Sequence, residues 1–101
     1  MILVYIVFGS QDEAQNIAKK LLKDRLIACA NIYSTESIYA WENELKITPE
    51  WVLMAKTLRR HYKEIEQAVS GVHSYKVPAI FSLKVNAVSQ SYRRWVKKQV
   101  K

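Results

Sequence analysis

The chain has 101 residues, half of them hydrophobic, with two glycines, two prolines and a formal net charge of +7 at pH 7. That length builds one core, so residues 1–101 are expected to form a single domain. So few chain-breaking residues exclude a linker or a low-complexity tail. The positive charge would suit nucleic acid, a membrane surface or an acidic partner. Its distribution reads instead as a solvated surface: Lys19, Lys20, Lys23 and Arg25 fall on one expected helix, Arg59 and Arg60 open another, and Arg93, Arg94, Lys97, Lys98 and Lys101 crowd the C-terminal end.

The apolar run Ile2–Phe8 has no basic leader and passes directly to Asp12 and Glu13. Neither it nor any other stretch approaches the roughly twenty residues of a membrane span. Cys29 is the only cysteine, which rules out an intramolecular disulfide and fits a reducing compartment. The expected location is the cytoplasm.

In chain order, Leu3–Phe8 reads as a buried central strand. Ser10-Gln-Asp-Glu13 has the form of a capping box, and Ala14, Ile17, Ala18, Leu21 and Leu22 follow at helical spacing, predicting a helix over about 11–25. Ile27–Tyr33 and Ser37–Trp41 are β-rich, and the intervening Ser34-Thr-Glu36 suggests a bend or bulge in one long strand. A polar connection is expected from Asn43-Glu44 to near Pro49, then a strand over Glu50–Thr57, so that 27–57 forms a hairpin. Leu58, Tyr62, Ile65, Val69 and Val72 trace a second helical stripe, with Gly71 placed to stop it. Pro78 opens a last strand through Ala79–Asn86, and Ser89 or Ser91 caps a short helix carrying Tyr92, Trp95 and Val96.

The order β-α-β-β-α-β with an extra C-terminal helix is the α+β, ferredoxin-like split β-α-β pattern: an antiparallel sheet with both main helices on one face. Apolar residues on the other face, such as Ile80 or alternate residues of 50–57, are then expected to be covered by another subunit.

Four segments carry a more specific signal: Leu26-Ile-Ala-Cys-Ala-Asn31, Ser37-Ile-Tyr-Ala-Trp-Glu42, Lys56-Thr57 and His73-Ser-Tyr-Lys-Val-Pro78. In this order and spacing the chain resembles the CutA divalent-cation-tolerance family from about Val4 to Trp95. The resemblance implies a tight homotrimer of ferredoxin-like sheets around a threefold axis, much as in the PII signal proteins. It also implies a link to tolerance of copper and other divalent cations, with no established catalysis. The chain departs from the family pattern at Ser74, where a proline is common, at Ala79, where a carboxylate is common, and at Asn43, where glycine follows Trp-Glu. Asn tolerates the left-handed backbone better than most residues, so a turn at Asn43 is expected to persist. Family members associated with copper have a cysteine where Phe8 stands and a histidine pair where Val72-His73 stands, leaving one of three ligands.

Among residues with chemical potential, Cys29 reads as a soft metal ligand or as a small hydrophobe between two alanines. His73 reads as a metal ligand or as a helix-end side chain bonded to backbone carbonyls. The metal candidates are therefore His73 and Cys29, with weakly bound copper or another divalent cation. Tyr39, Trp41, Lys56 and Tyr75 are candidates to line a cleft between subunits, or simply to pack there. His61, among Arg59, Arg60 and Lys63, is expected on the surface, and Glu42, Glu44 and Glu50 on a solvated edge.

Two other functions share this fold. An RNA-recognition module would carry an aromatic-glycine signature that Glu50–Thr57 lacks, so nucleic acid is not an expected partner. An acylphosphatase-like enzyme would carry an arginine in the loop after the first strand, where Gly9-Ser-Gln-Asp-Glu13 has none.

Overall fold

A continuous apolar, largely β-branched and aromatic run makes β1 (Ile2–Phe8), whose Ile2, Val4, Ile6 and Phe8 face the core. The computed structural model describes residues 1–101 and continues with α1 (Gln11–Lys23), β2 (Cys29–Trp41), β3 (Glu44–Thr57), a 3₁₀ turn (Arg59–His61), α2 (Tyr62–Ser70), β4 (Ile80–Lys84) and α3 (Gln90–Gln99). Ser10 caps α1, accepting from the Glu13 N–H at 3.2 Å, but the Glu13 carboxylate does not reach back to complete the box. It binds Ser74 instead. Arg25, in the left-handed region at φ 57°, turns the chain out of α1.

The sheet is ordered β2-β3-β1-β4, with every neighbouring pair antiparallel. β1 and β2 are thus parallel with β3 between them, and β3 and β4 are parallel with β1 between them. These are two interlocked split β-α-β units. Ala14, Ile17, Ala18 and Leu21 of α1, with Ile65 and Val69 of α2, pack on one sheet face to form the main core. A smaller cluster of Ala28, Val96 and Val100 seats α3 against the start of β2. Ser89 is the α3 cap.

Several sequence expectations need correction. β2 carries no bulge: its pairing with β3 runs one-to-one from Cys29↔Lys56 to Trp41↔Glu44. The polar connection of 43–49 is strand, and the hairpin closes in a two-residue turn at Glu42 (φ 50°) and Asn43 (φ 64°). Positive φ at both positions is the type I′ geometry that matches strand twist. Pro49 is accommodated because the pairs alternate from the hydrogen-bonded Trp41↔Glu44 that closes the turn. Its pair with Glu36 is therefore a non-hydrogen-bonded one, where an N–H would point away from β2. The stripe of α2 ends earlier than expected, and Val72 is exposed. Ile80 packs against the core, so the residues of β4 left on the open face are Phe81 and Leu83. His61 is buried, not on the surface.

β1 pairs with β3 only from Trp51 to Thr57, so residues 35–41 and 44–50 project as a two-stranded ribbon. This ribbon draws the molecule out to 46 Å in its longest dimension.

Candidate functional site

At the base of the ribbon the segment after α2 crosses the edge of the sheet, and His73 anchors it. A backbone carbonyl can only accept, so the His73 Nε2–H donates to Val7 O at 2.7 Å; Nδ1 accepts from the Tyr75 N–H at 3.0 Å. Those two bonds fix the tautomer and leave neither ring nitrogen free. The ring lies flat on Phe8, with centroids 4.6 Å apart and planes 9° from parallel, and its side chain has no exposed surface.

Ser74 extends this anchor. Its N–H and Oγ each lie 2.8 Å from a Glu13 carboxylate oxygen. A proline here would have neither donor, so Ser74 gives this chain a two-point clamp to α1. Tyr75 then reaches back over Gly9, where an added Cβ would lie 3.0 Å from the phenol oxygen, so any side chain there would push the Tyr75 ring aside. The Tyr75 hydroxyl donates to Glu50 Oε2 at 2.6 Å. Burial, reinforced by the Glu50 carboxylate, pushes the phenol well above its usual range, so Tyr75 is a donor and not a base near neutrality.

This arrangement bounds a cleft of about 680 Å³ on the open sheet face, with Tyr39, Trp41 and Tyr75 as aromatic walls and Lys46, Lys76 and Glu50 at its rim. Thr48 Oγ1, also in the lining, is buried without a partner. The cleft contains no nucleophile paired with a base. Its aromatic walls and unpaired donor suit recognition of a ligand or of another chain.

Tyr39, Trp41 and Tyr75 thus come together as a set, but Lys56 does not join them. It lies further along the open face between Leu3 and Cys29, with Nζ 3.8 Å from Cys29 Sγ and bonded to Asn31 Oδ1. Cys29 is level with Leu3 and His73 with Val7, four residues along β1 and so about 13 Å apart along the strand. The two metal candidates do not meet within one chain, and no group of three His, Cys, Asp or Glu side chains gathers anywhere in it. The residues present do not fit a copper centre within a single chain. Glu50 and Glu13 are the site residues that spacing missed. The period-2 continuation of Lys56, Met54 and Val52 places Glu50 on the open face, a signal hidden by reading 43–49 as a connection.

Residues 2–99 match a family described as CutA1 divalent ion tolerance protein. The chain belongs to this family. The CutA protein of Thermotoga maritima, named a divalent-cation tolerance protein, is 40% identical over 100 residues, covering 99% of each chain. The crystal structure of CutA1 from Pyrococcus horikoshii superposes with a TM-score of 0.95 at 34% identity, over 100% of this chain and 99% of that one. The Archaeoglobus fulgidus CutA structure, described as a periplasmic divalent cation tolerance protein, gives 0.96 at 30% identity with both chains fully covered at 100%. The ferredoxin-like α+β fold expected from the sequence is the CutA fold.

Proposed function

We propose that this CutA chain is a homotrimeric, non-catalytic divalent-cation tolerance protein in which the Tyr39–Trp41–Tyr75 cleft opens at a subunit boundary. The observation that carries the reading is the ribbon. It is apolar on both faces, with Ile38, Leu45 and Ile47 on one and Tyr39 and Trp41 on the other, all exposed in the single chain. An isolated two-stranded ribbon is marginal in water, and one with two apolar faces requires cover. Phe81 and Leu83 extend the uncovered surface across the sheet.

Copper binding by this member is weak in the same reading. Phe8 and Val72 supply no donor, both His73 nitrogens are engaged, and Cys29 lies at the other end of the strand. The single free thiol favours a cytoplasmic location, which fractionation of the native host tests directly. No helix is long and apolar enough to cross a membrane.

Native mass spectrometry of metal-free protein, then of protein titrated with copper and zinc, tests assembly and metal together. The expected result is a trimer at micromolar concentration with loose copper occupancy, half-saturating at about 1 μM or above. A folded monomer would overturn the assembly. One copper per subunit at nanomolar affinity would overturn the reading of the metal residues.

A further inference from the structure

The helix-bearing face of β4 changes character along the strand. Ile80 packs on the core, but Ser82 and Lys84, on the same face, are exposed although their partners on β1, Val4 and Ile2, are buried. Neither α1 nor α2 contributes to the lining of this end of the sheet, which forms a recess of about 330 Å³ bounded by Met1, Ile2, Arg59, Ser82 and Lys84. Arg59 enters from the 3₁₀ turn that follows β3. No carboxylate lines the recess. The ion pairs of the chain are Lys46–Glu44 and Lys101–Glu64, so neither Arg59 nor Lys84 is neutralised internally.

Two uncompensated cations facing one recess repel each other, and a bound anion would convert that repulsion into attraction. A guanidinium supplies a planar fork of donors, an ammonium a point charge and a serine hydroxyl a further donor, a combination suited to a tetrahedral dianion. The volume lies at the small end of the range for ligand sites, roughly 300–1,000 Å³, yet exceeds what a bare oxyanion fills. Ile2 and Met1 offer apolar surface beside the cations.

We propose that this recess binds a small phosphate monoester, with Arg59 and Lys84 on the phosphate, Ser82 donating to it, and the organic portion against Met1 and Ile2. The recess is on the opposite sheet face from the Tyr75 cleft and does not depend on the function assigned to that cleft.

The test is titration of the intact protein with glycerol 3-phosphate at constant ionic strength, followed by amide NMR shifts, with inorganic phosphate as the second arm. Saturable shifts are expected at Ile2, Arg59, Ser82 and Lys84, with weaker binding of inorganic phosphate. Arg59→Ala and Lys84→Ala should each weaken binding about tenfold, and Lys84→Arg should largely retain it. Both side chains are exposed, so circular dichroism and melting temperature should be unchanged in these variants. Failure to saturate by about 10 mM, or shifts that survive the Arg59→Ala/Lys84→Ala double change, would overturn the site. Equal affinity for inorganic phosphate would overturn the monoester assignment.

Discussion

His61 and His73 show how one residue type takes opposite roles in this chain. His73 is buried with both nitrogens satisfied, whereas His61 is buried with Nε2 unpartnered. Burial, then the adjacent Arg60 guanidinium, holds the His61 imidazole below its usual 6.5, although the Lys101 backbone and Glu64 act in the other direction. The unfolded chain therefore binds the proton more readily than the folded one. Stability from this group is complete above about 6.5 and is lost as pH falls through the lower folded value. Denaturant unfolding from pH 8 to 5 should show that loss in the wild type and a flatter profile in His61→Gln. Parallel profiles for the two proteins would contradict the assignment.

The element that most determines the shape of the molecule is the β2–β3 hairpin, and its register depends on two residues. Glu42 and Asn43 both adopt positive φ, a conformation that costs a β-branched residue about 1–2 kcal/mol. Asn43→Val should therefore lower stability by about that amount, while Asn43→Gly stays within about 0.5 kcal/mol of wild type. Chemical denaturation measures both, and a neutral Asn43→Val would mean that the turn is not held in type I′ geometry. Register matters because a one-residue slip would exchange Tyr39 and Trp41 for Ile38 and Ala40 on the cleft face. Pro49 stays in the strand for the same reason: its position in the alternating ladder needs no donor.

For the whole molecule, extent and exposure point in one direction. The radius of gyration is 14.3 Å, above the roughly 13 Å expected for a compact chain of this length. The excess lies in the ribbon, whose tip residue Trp41 is 59% exposed. An aromatic side chain of that size at a subunit boundary commonly contributes about 2 kcal/mol or more. Trp41→Ala should thus weaken the proposed trimer by at least that amount, read as a shift in the dissociation midpoint by sedimentation. A change below about 0.5 kcal/mol with the trimer intact would show that Trp41 is merely a surface residue.

The sequence by itself determined the elements and their order. The unbroken apolar run Leu3–Phe8, helical spacing from Ala14 to Leu22, the cap Ser10, and Ser89 or Ser91 ahead of the last helix are local patterns, and local patterns specify local structure. Together with the four motif segments they also reached the family. Only the tertiary structure decided which face of each strand is covered, since that depends on where helices distant in sequence come to rest. Ile80 and Phe81 are adjacent and both apolar, yet α1 and α2 leave one against the core and the other open. The same non-local packing separated Lys56 from the cleft, brought Glu50 to Tyr75, and filled both nitrogens of His73 with backbone partners. Spacing along a chain does not encode those meetings, because they are set by strand register and by the loop that crosses the sheet.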